Sequence, residues 1–162
     1  MSRIILASAS PRRKELLEQV GIEFEICPAK GEEIITKTVP PEVVCELSDQ
    51  KSMEVSQLIT QYDEAHRDIT TPADIMVIGA DTVVAYENQI LGKPKDEADA
   101  ERMLTMLAGN SHSVYTGVTV VIIDKDGRAG KKTFYEKTDV VMHRMSQKQI
   151  RDYIATGEPM DK

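Results

Sequence analysis

A short apolar run, Ile4-Ile5-Leu6, breaks at once into Ala7-Ser8-Ala9-Ser10-Pro11-Arg12-Arg13-Lys14. The run reads as a buried strand, and the residues from Lys14 to Gly21 read as a helix that ends at a glycine. A strand that turns sharply into a helix gathers backbone N–H groups and the positive end of the helix dipole at one point. Ser10 suits the N-cap of that helix. Pro11 suits the first helical position, where its missing N–H would have no partner anyway. Arg12, Arg13 and Lys14 then fall in the first turn, where each opposes the dipole at a cost of about 0.3–1 kcal/mol. Two readings stand. Either a bound anion such as a polyphosphate balances the three cations beside Ser8 and Ser10, or the stretch is a solvated basic turn.

The rest of the chain alternates helical and strand patterns. Residues 22–26 alternate apolar with acidic side chains, as a half-exposed strand does. Pro40-Pro41 opens a helix with Val43, Val44, Leu47, Lys51, Val55 and Leu58 at helical spacing. Residues 61–74 are polar and read as a loop. Ile75-Met76-Val77-Ile78 reads as a buried strand ending at Gly79-Ala80-Asp81-Thr82, with a second run, Val83 to Tyr86, beyond it. A turn at Glu87-Asn88 leads to Gln89–Pro94, and Asp96 caps a helix closed by Gly109-Asn110. His112 to Ile123 is a long β-branched strand, Asp124-Lys125-Asp126-Gly127 a hairpin turn, and Thr133 to Met142 a return strand. Ser146 and Gln149 have capping-box spacing at the head of a last helix, with Ile150, Tyr153 and Ile154 inward. No closing element is expected after Gly157. The alternation predicts an α/β fold with a mixed sheet.

A chain of 162 residues suits one domain with a proper core. Its net charge of −7 repels nucleic acid and anionic membranes, so an anionic ligand needs a local basic cluster, with a divalent metal as its natural helper. Cys27 and Cys45 are far apart and read as reduced, buried thiols. There is no signal-peptide pattern, and no apolar stretch nears the ~20 residues of a membrane span, so the cytoplasm is the expected location. No two of His66, His112 and His143 share metal-ligand spacing. The eight methionines read as core filling.

Three further places can carry chemistry. Asp81, after Gly79 and between apolar runs, could ligate a metal or take a proton from water, or could simply bond nearby backbone N–H groups. Lys93, between Gly92 and Pro94, could aim an ammonium at a phosphate or be an ordinary turn lysine. Glu33, in Gly31-Glu32-Glu33, could be a metal ligand or a surface acid, with Lys51 on the helix that follows.

Taken together, Ser8-Ala9-Ser10-Pro11-Arg12-Arg13, Glu33, Lys51, Gly79-Ala80-Asp81-Thr82, Gly92-Lys93-Pro94 and Glu158-Pro159-Met160-Asp161-Lys162 resemble the Maf family of nucleoside triphosphate pyrophosphatases. The order and approximate spacing of these blocks match from end to end. The resemblance implies metal-dependent cleavage of the α–β phosphate linkage, with Mg²⁺ or Mn²⁺, and a fold similar to inosine triphosphate pyrophosphatases: an elongated mixed sheet flanked by helices, in two lobes with a central cleft. It implies Asp81 as proton acceptor and metal ligand and Glu33 as a second metal ligand. Ser8, Ser10, Arg13, Lys51 and Lys93 would then hold the triphosphate, with Arg12 and Thr82 at positions linked to base selectivity. The Ser-Pro-Arg-Arg form looks like the branch acting on dTTP and UTP. The partners implied are a nucleoside triphosphate and a second copy in a homodimer, with no nucleic acid and no membrane. The family continues beyond the Asp-Lys of the last motif, so the expectation is one Maf-like domain over residues 1–162 without the family's C-terminal segment. The alternative reading is a non-catalytic nucleotide-binding regulator of cell division and septum formation.

Overall fold

Strand β1 (Arg3–Leu6) is flanked on both sides in the computed structural model, which describes residues 2–65, 74–87 and 89–161. It pairs in parallel with β2 (Glu25–Ile26) and with β3 (Ile75–Tyr86). Strand β4 (Gln89–Leu91) runs antiparallel to β3, and β5 (Ser111–Ile123) and β6 (Ala129–Val141) complete the order β2-β1-β3-β5-β6. Parallel neighbours need a crossover. Helix α1 (Pro11–Gln19) supplies it between β1 and β2, and α2 (Pro40–Ala65) between β2 and β3. Helices α3 (Glu97–Leu107) and α4 (Gln147–Ile154) follow later in the chain. The result is the mixed α/β sheet with helices that the sequence pattern predicts.

Several boundaries differ from the sequence reading, each for a physical reason. Gly21 (φ +72°) and Ile22 donate to the carbonyls of Glu18 and Leu17, so they close α1 and leave only Glu25–Ile26 to pair with β1. Helix α2 continues past Gln61 to Ala65. Its last turns are pinned by Asp63, which accepts two bonds from Arg3 at 3.1 and 3.0 Å. The remainder of the expected loop, 66–73 with His66, lies outside the described residues, as do Asn88 of the expected turn and Lys162. Strand β3 does not break at Gly79-Ala80-Asp81-Thr82 but runs through as one strand of 12 residues. There Gly79 makes room for α2 rather than a turn. Strand β6 starts at Ala129, ahead of Thr133, because the hairpin is tight: Asp124 donates to the Arg128 carbonyl and Gly127 (φ +83°) to that of Asp124. A 3-10 turn over Glu158–Asp161 forms where no element was expected.

The chain divides into two units, Met1–Asp81 with Thr116–Tyr135 and Thr82–Tyr115 with Glu136–Lys162. The first unit is built on a core of Ile5, Ala7, Val55, Ile75, Val77 and Val121. The second is built on Ala100, Leu104, Ile150 and Ile154, with Met142, Met145 and Met160 packed against them in the filling role expected of methionine. The caps of the second unit are as predicted. The Asp96 carboxylate accepts the Asp99 N–H, and Ser146 and Gln149 form a reciprocal capping box. Both cysteines are free, and half-buried rather than buried. Strand β6, at the end of the sheet order, exposes nearly every side chain, Phe134 and Tyr135 included. Among the described residues no helix is long and apolar enough to cross a membrane.

Candidate active site

In the first unit the site begins where β1 ends. Ser8 is buried, and its hydroxyl oxygen accepts the Ser10 N–H at 3.2 Å and an Nη1–H of Arg13 at 2.9 Å. Ser10 occupies the N-cap of α1 with extended backbone, but its side chain makes no capping bond. Ser10 is thus the N-cap residue as expected, and its own amide is held by the Ser8 hydroxyl two residues earlier. Pro11 opens the helix as predicted, Arg12 is exposed, and Arg13 is half-buried.

A second group meets on α2. The Lys51 ammonium donates to Asp81 Oδ1 at 2.5 Å and pairs with Glu33 Oε1 at 2.9 Å. The Lys51 and Asp81 side chains are 18% and 14% exposed, whereas Glu33 is 51% exposed. The three form a chain of charge from the interior to solvent. Burial pulls the Lys51 pKa down, but its bonds to Asp81 and Glu33, reinforced by their charges, outweigh it and the net shift is upward. Arg13 lies within the same electrostatic field. Its pKa is lowered, first by burial. The charge of Asp81 opposes the shift, Arg12 adds to it, and Glu33 opposes it. Leu6 pairs with Ile78 and the Ala7 N–H donates to the Ile78 carbonyl, so the Ser–Arg turn leaves β1 beside the stretch of β3 that leads to Asp81.

Glu33 lies in a segment without regular structure, and three side chains of α2 hold that segment. Glu54 accepts the N–H groups of Lys30 (2.8 Å) and Gly31 (3.0 Å). Gln50 accepts the Ile34 N–H at 3.0 Å and donates to the Ile34 carbonyl. Glu46 accepts the Thr36 N–H (2.9 Å), the Thr36 hydroxyl and the Lys37 N–H (3.3 Å). These residues escape a motif-based reading. The signal was present nonetheless, since 46, 50 and 54 recur every four residues and so share one helix face.

Thr82 and Lys93 belong to the second unit. Thr82 follows Asp81 in β3 and is exposed. Lys93 is exposed between β4 and α3. Its neighbours Gly92 and Pro94 line an apolar pocket of about 130 Å³ with Val84, Leu91, Met103 and Tyr153.

Among the described residues no three His, Cys, Asp or Glu side chains gather into a metal site of their own. Glu33 and Asp81 do meet at one ammonium. Two carboxylates are the usual protein share for a small hard dication that takes its other ligands from water and phosphate, so this donor set fits Mg²⁺ or Mn²⁺ bound together with a phosphate ligand.

A mixed sheet with a Ser–Arg turn at the end of its first strand, and a lysine between two carboxylates beside it, defines an α/β protein equipped to handle an anion. The profile of the family described as "Maf-like protein" matches residues 3–162, and the chain belongs to that family. It is similar to the dTTP/UTP pyrophosphatase of Agathobacter rectalis, with 67% identity over 162 residues, covering 100% of this chain and 79% of that one. It is 46% identical to the dTTP/UTP pyrophosphatase of Lachnoclostridium phytofermentans, covering 100% and 76%. Among solved structures, a HAM1 protein from Coxiella burnetii shares the fold, with a TM-score of 0.53, 15% identity, and 90% and 75% coverage.

Proposed function

We propose that this chain hydrolyses dTTP and UTP to the nucleoside monophosphate and pyrophosphate, with Mg²⁺ or Mn²⁺ as cofactor. The observation that carries the reading is the Glu33–Lys51–Asp81 group, with Arg13 in its field. Full-length similarity to proteins named for that activity supports it.

The residues divide the work by charge. Ser8, Ser10, Arg13, Lys51 and Lys93 bind the triphosphate, and Arg12 and Thr82 select the base. Lys51 also fixes the direction of the Asp81 carboxylate, so that Asp81 can orient an attacking water and accept its proton. The cations offset the charge that builds on the α-phosphate and the departing pyrophosphate. Glu33 and Asp81 would hold the metal, which when bound supplies further charge stabilisation and lowers the pKa of its water. A homodimer in the cytoplasm is the family expectation for assembly and location.

The test is Asp81→Asn. The variant should fold like the parent by circular dichroism and release pyrophosphate from UTP about 10²–10⁴-fold more slowly, the range for losing a general base. Undiminished turnover would overturn the role of Asp81. If the parent protein binds UTP but releases no pyrophosphate, the regulator reading replaces the enzyme reading.

A further inference from the structure

Helix α2 lies on the sheet with almost no space between the backbones, and two glycines make this possible. A Cβ built on Gly79 would overlap the Ser52 hydroxyl and lie 2.6 Å from the Ser48 carbonyl oxygen and 2.9 Å from the Ser52 nitrogen. A Cβ on Gly117 would overlap the Val44 carbonyl and lie 2.8 Å from the Cys45 nitrogen. Most of these neighbours are backbone atoms, which cannot swing aside. Hydroxyls lock the same contact. Ser48 Oγ and Thr119 Oγ1 are 3.0 Å apart, and the Ser52 hydroxyl lies 2.8 Å from the Ser48 carbonyl and 3.0 Å from that of Thr119. Ser48, Ser52 and Thr119 are fully buried.

We propose that this seam sets the depth of α2 on the sheet, and that Gly79 is a positioning residue for the Lys51–Asp81 pair. Strand geometry makes the link. Residues two apart on a strand share a face, so Gly79 and Asp81 both look toward α2. On the helix, Ser52, which meets Gly79, is the neighbour of Lys51, which meets Asp81. The seam and the ion pair are therefore adjacent points of one helix–strand contact. Anything that lifts the helix at the first separates the second. The inference deepens the enzyme reading and rests on it.

Gly79→Ala tests it by adding one methyl at the seam and nothing at the site. A displacement of about 1 Å at a reacting group can reduce turnover about 100-fold. The expected result is a loss of kcat of that order. A double-mutant cycle in urea reads the coupling directly: Lys51→Met should cost less stability in the Gly79→Ala background than in the parent, because the ion pair is already separated. A folded Gly79→Ala protein with parental kcat and no coupling to Lys51→Met overturns the proposal. Should Gly79→Ala fail to fold, Ser52→Thr adds a methyl to the seam from the helix side and is read the same way. A parent protein without turnover would sink the enzyme reading alone, because the stability cycle still reports on the seam.

Discussion

Lys51 loses charge stabilisation by burial, yet its ammonium is held above its ordinary 10.5 because Asp81 and Glu33 both bond to it. The sign of the linkage follows. A cation whose pKa is raised on folding stabilises the fold fully below its unfolded value, and that contribution disappears as pH climbs through the higher folded value. Lys51→Met should therefore destabilise the protein by about 1–3 kcal/mol near neutrality, the scale of a charged hydrogen bond. The deficit should shrink above pH 10.5. Urea titrations of both proteins across that range provide the check, and a deficit independent of pH would contradict it. At this scale the sequence reveals only what is local. Ser8 and Arg13 are five residues apart, and their contact is implicit in a strand-to-helix turn. Lys51 and Asp81 are 30 residues apart, and no spacing rule joins them. Resemblance named both residues, but only the folded chain shows them bonded.

At the scale of elements, strong local signals translate directly. Helices α3 and α4 begin at the residues whose side chains cap them, because a cap is a contact between near neighbours. Strand β3 misleads for the opposite reason. Its glycine answers to a helix far away in sequence, so a pattern that reads locally as a turn is in fact a docking surface. The stripe of Glu46, Gln50 and Glu54 gives this scale its own prediction. Gln50 bonds both the N–H and the carbonyl of Ile34. Gln50→Ala should leave α2 folded, speed hydrogen exchange at the Ile34 amide at least about tenfold, as local opening predicts, and loosen the segment that carries Glu33. Exchange at Ile34 unchanged in the variant would show that the stripe does not hold the segment.

For the whole molecule, alternation of strand and helix patterns was enough to anticipate a mixed α/β sheet, but not the strand order. Nothing in the sequence says that the first strand pairs with both β2 and β3; that follows from the two crossover helices. Nor does apolar periodicity reveal that, among the described residues, one group of core side chains gathers around Ile5 and Val77 and another around Ala100 and Ile150. Ile150 is 1% exposed within the second of these, and Ile150→Ala should cost about 2–5 kcal/mol in a urea titration, the range for a truncated core aliphatic. A loss below about 1 kcal/mol would mean that the site collapses on itself rather than leaving a cavity. The bared margin at β6 has a consequence of another kind. A row of unpaired peptide groups is a template on which further chains can polymerise. Here the strand carries Lys131, Lys132, Glu136, Lys137 and Asp139, with Lys131 paired to Asp49 and Lys137 to Asp139, so a strand laid along it would have to desolvate charged side chains. Charge of both signs along this strand thus raises the cost of seeding a fibre there.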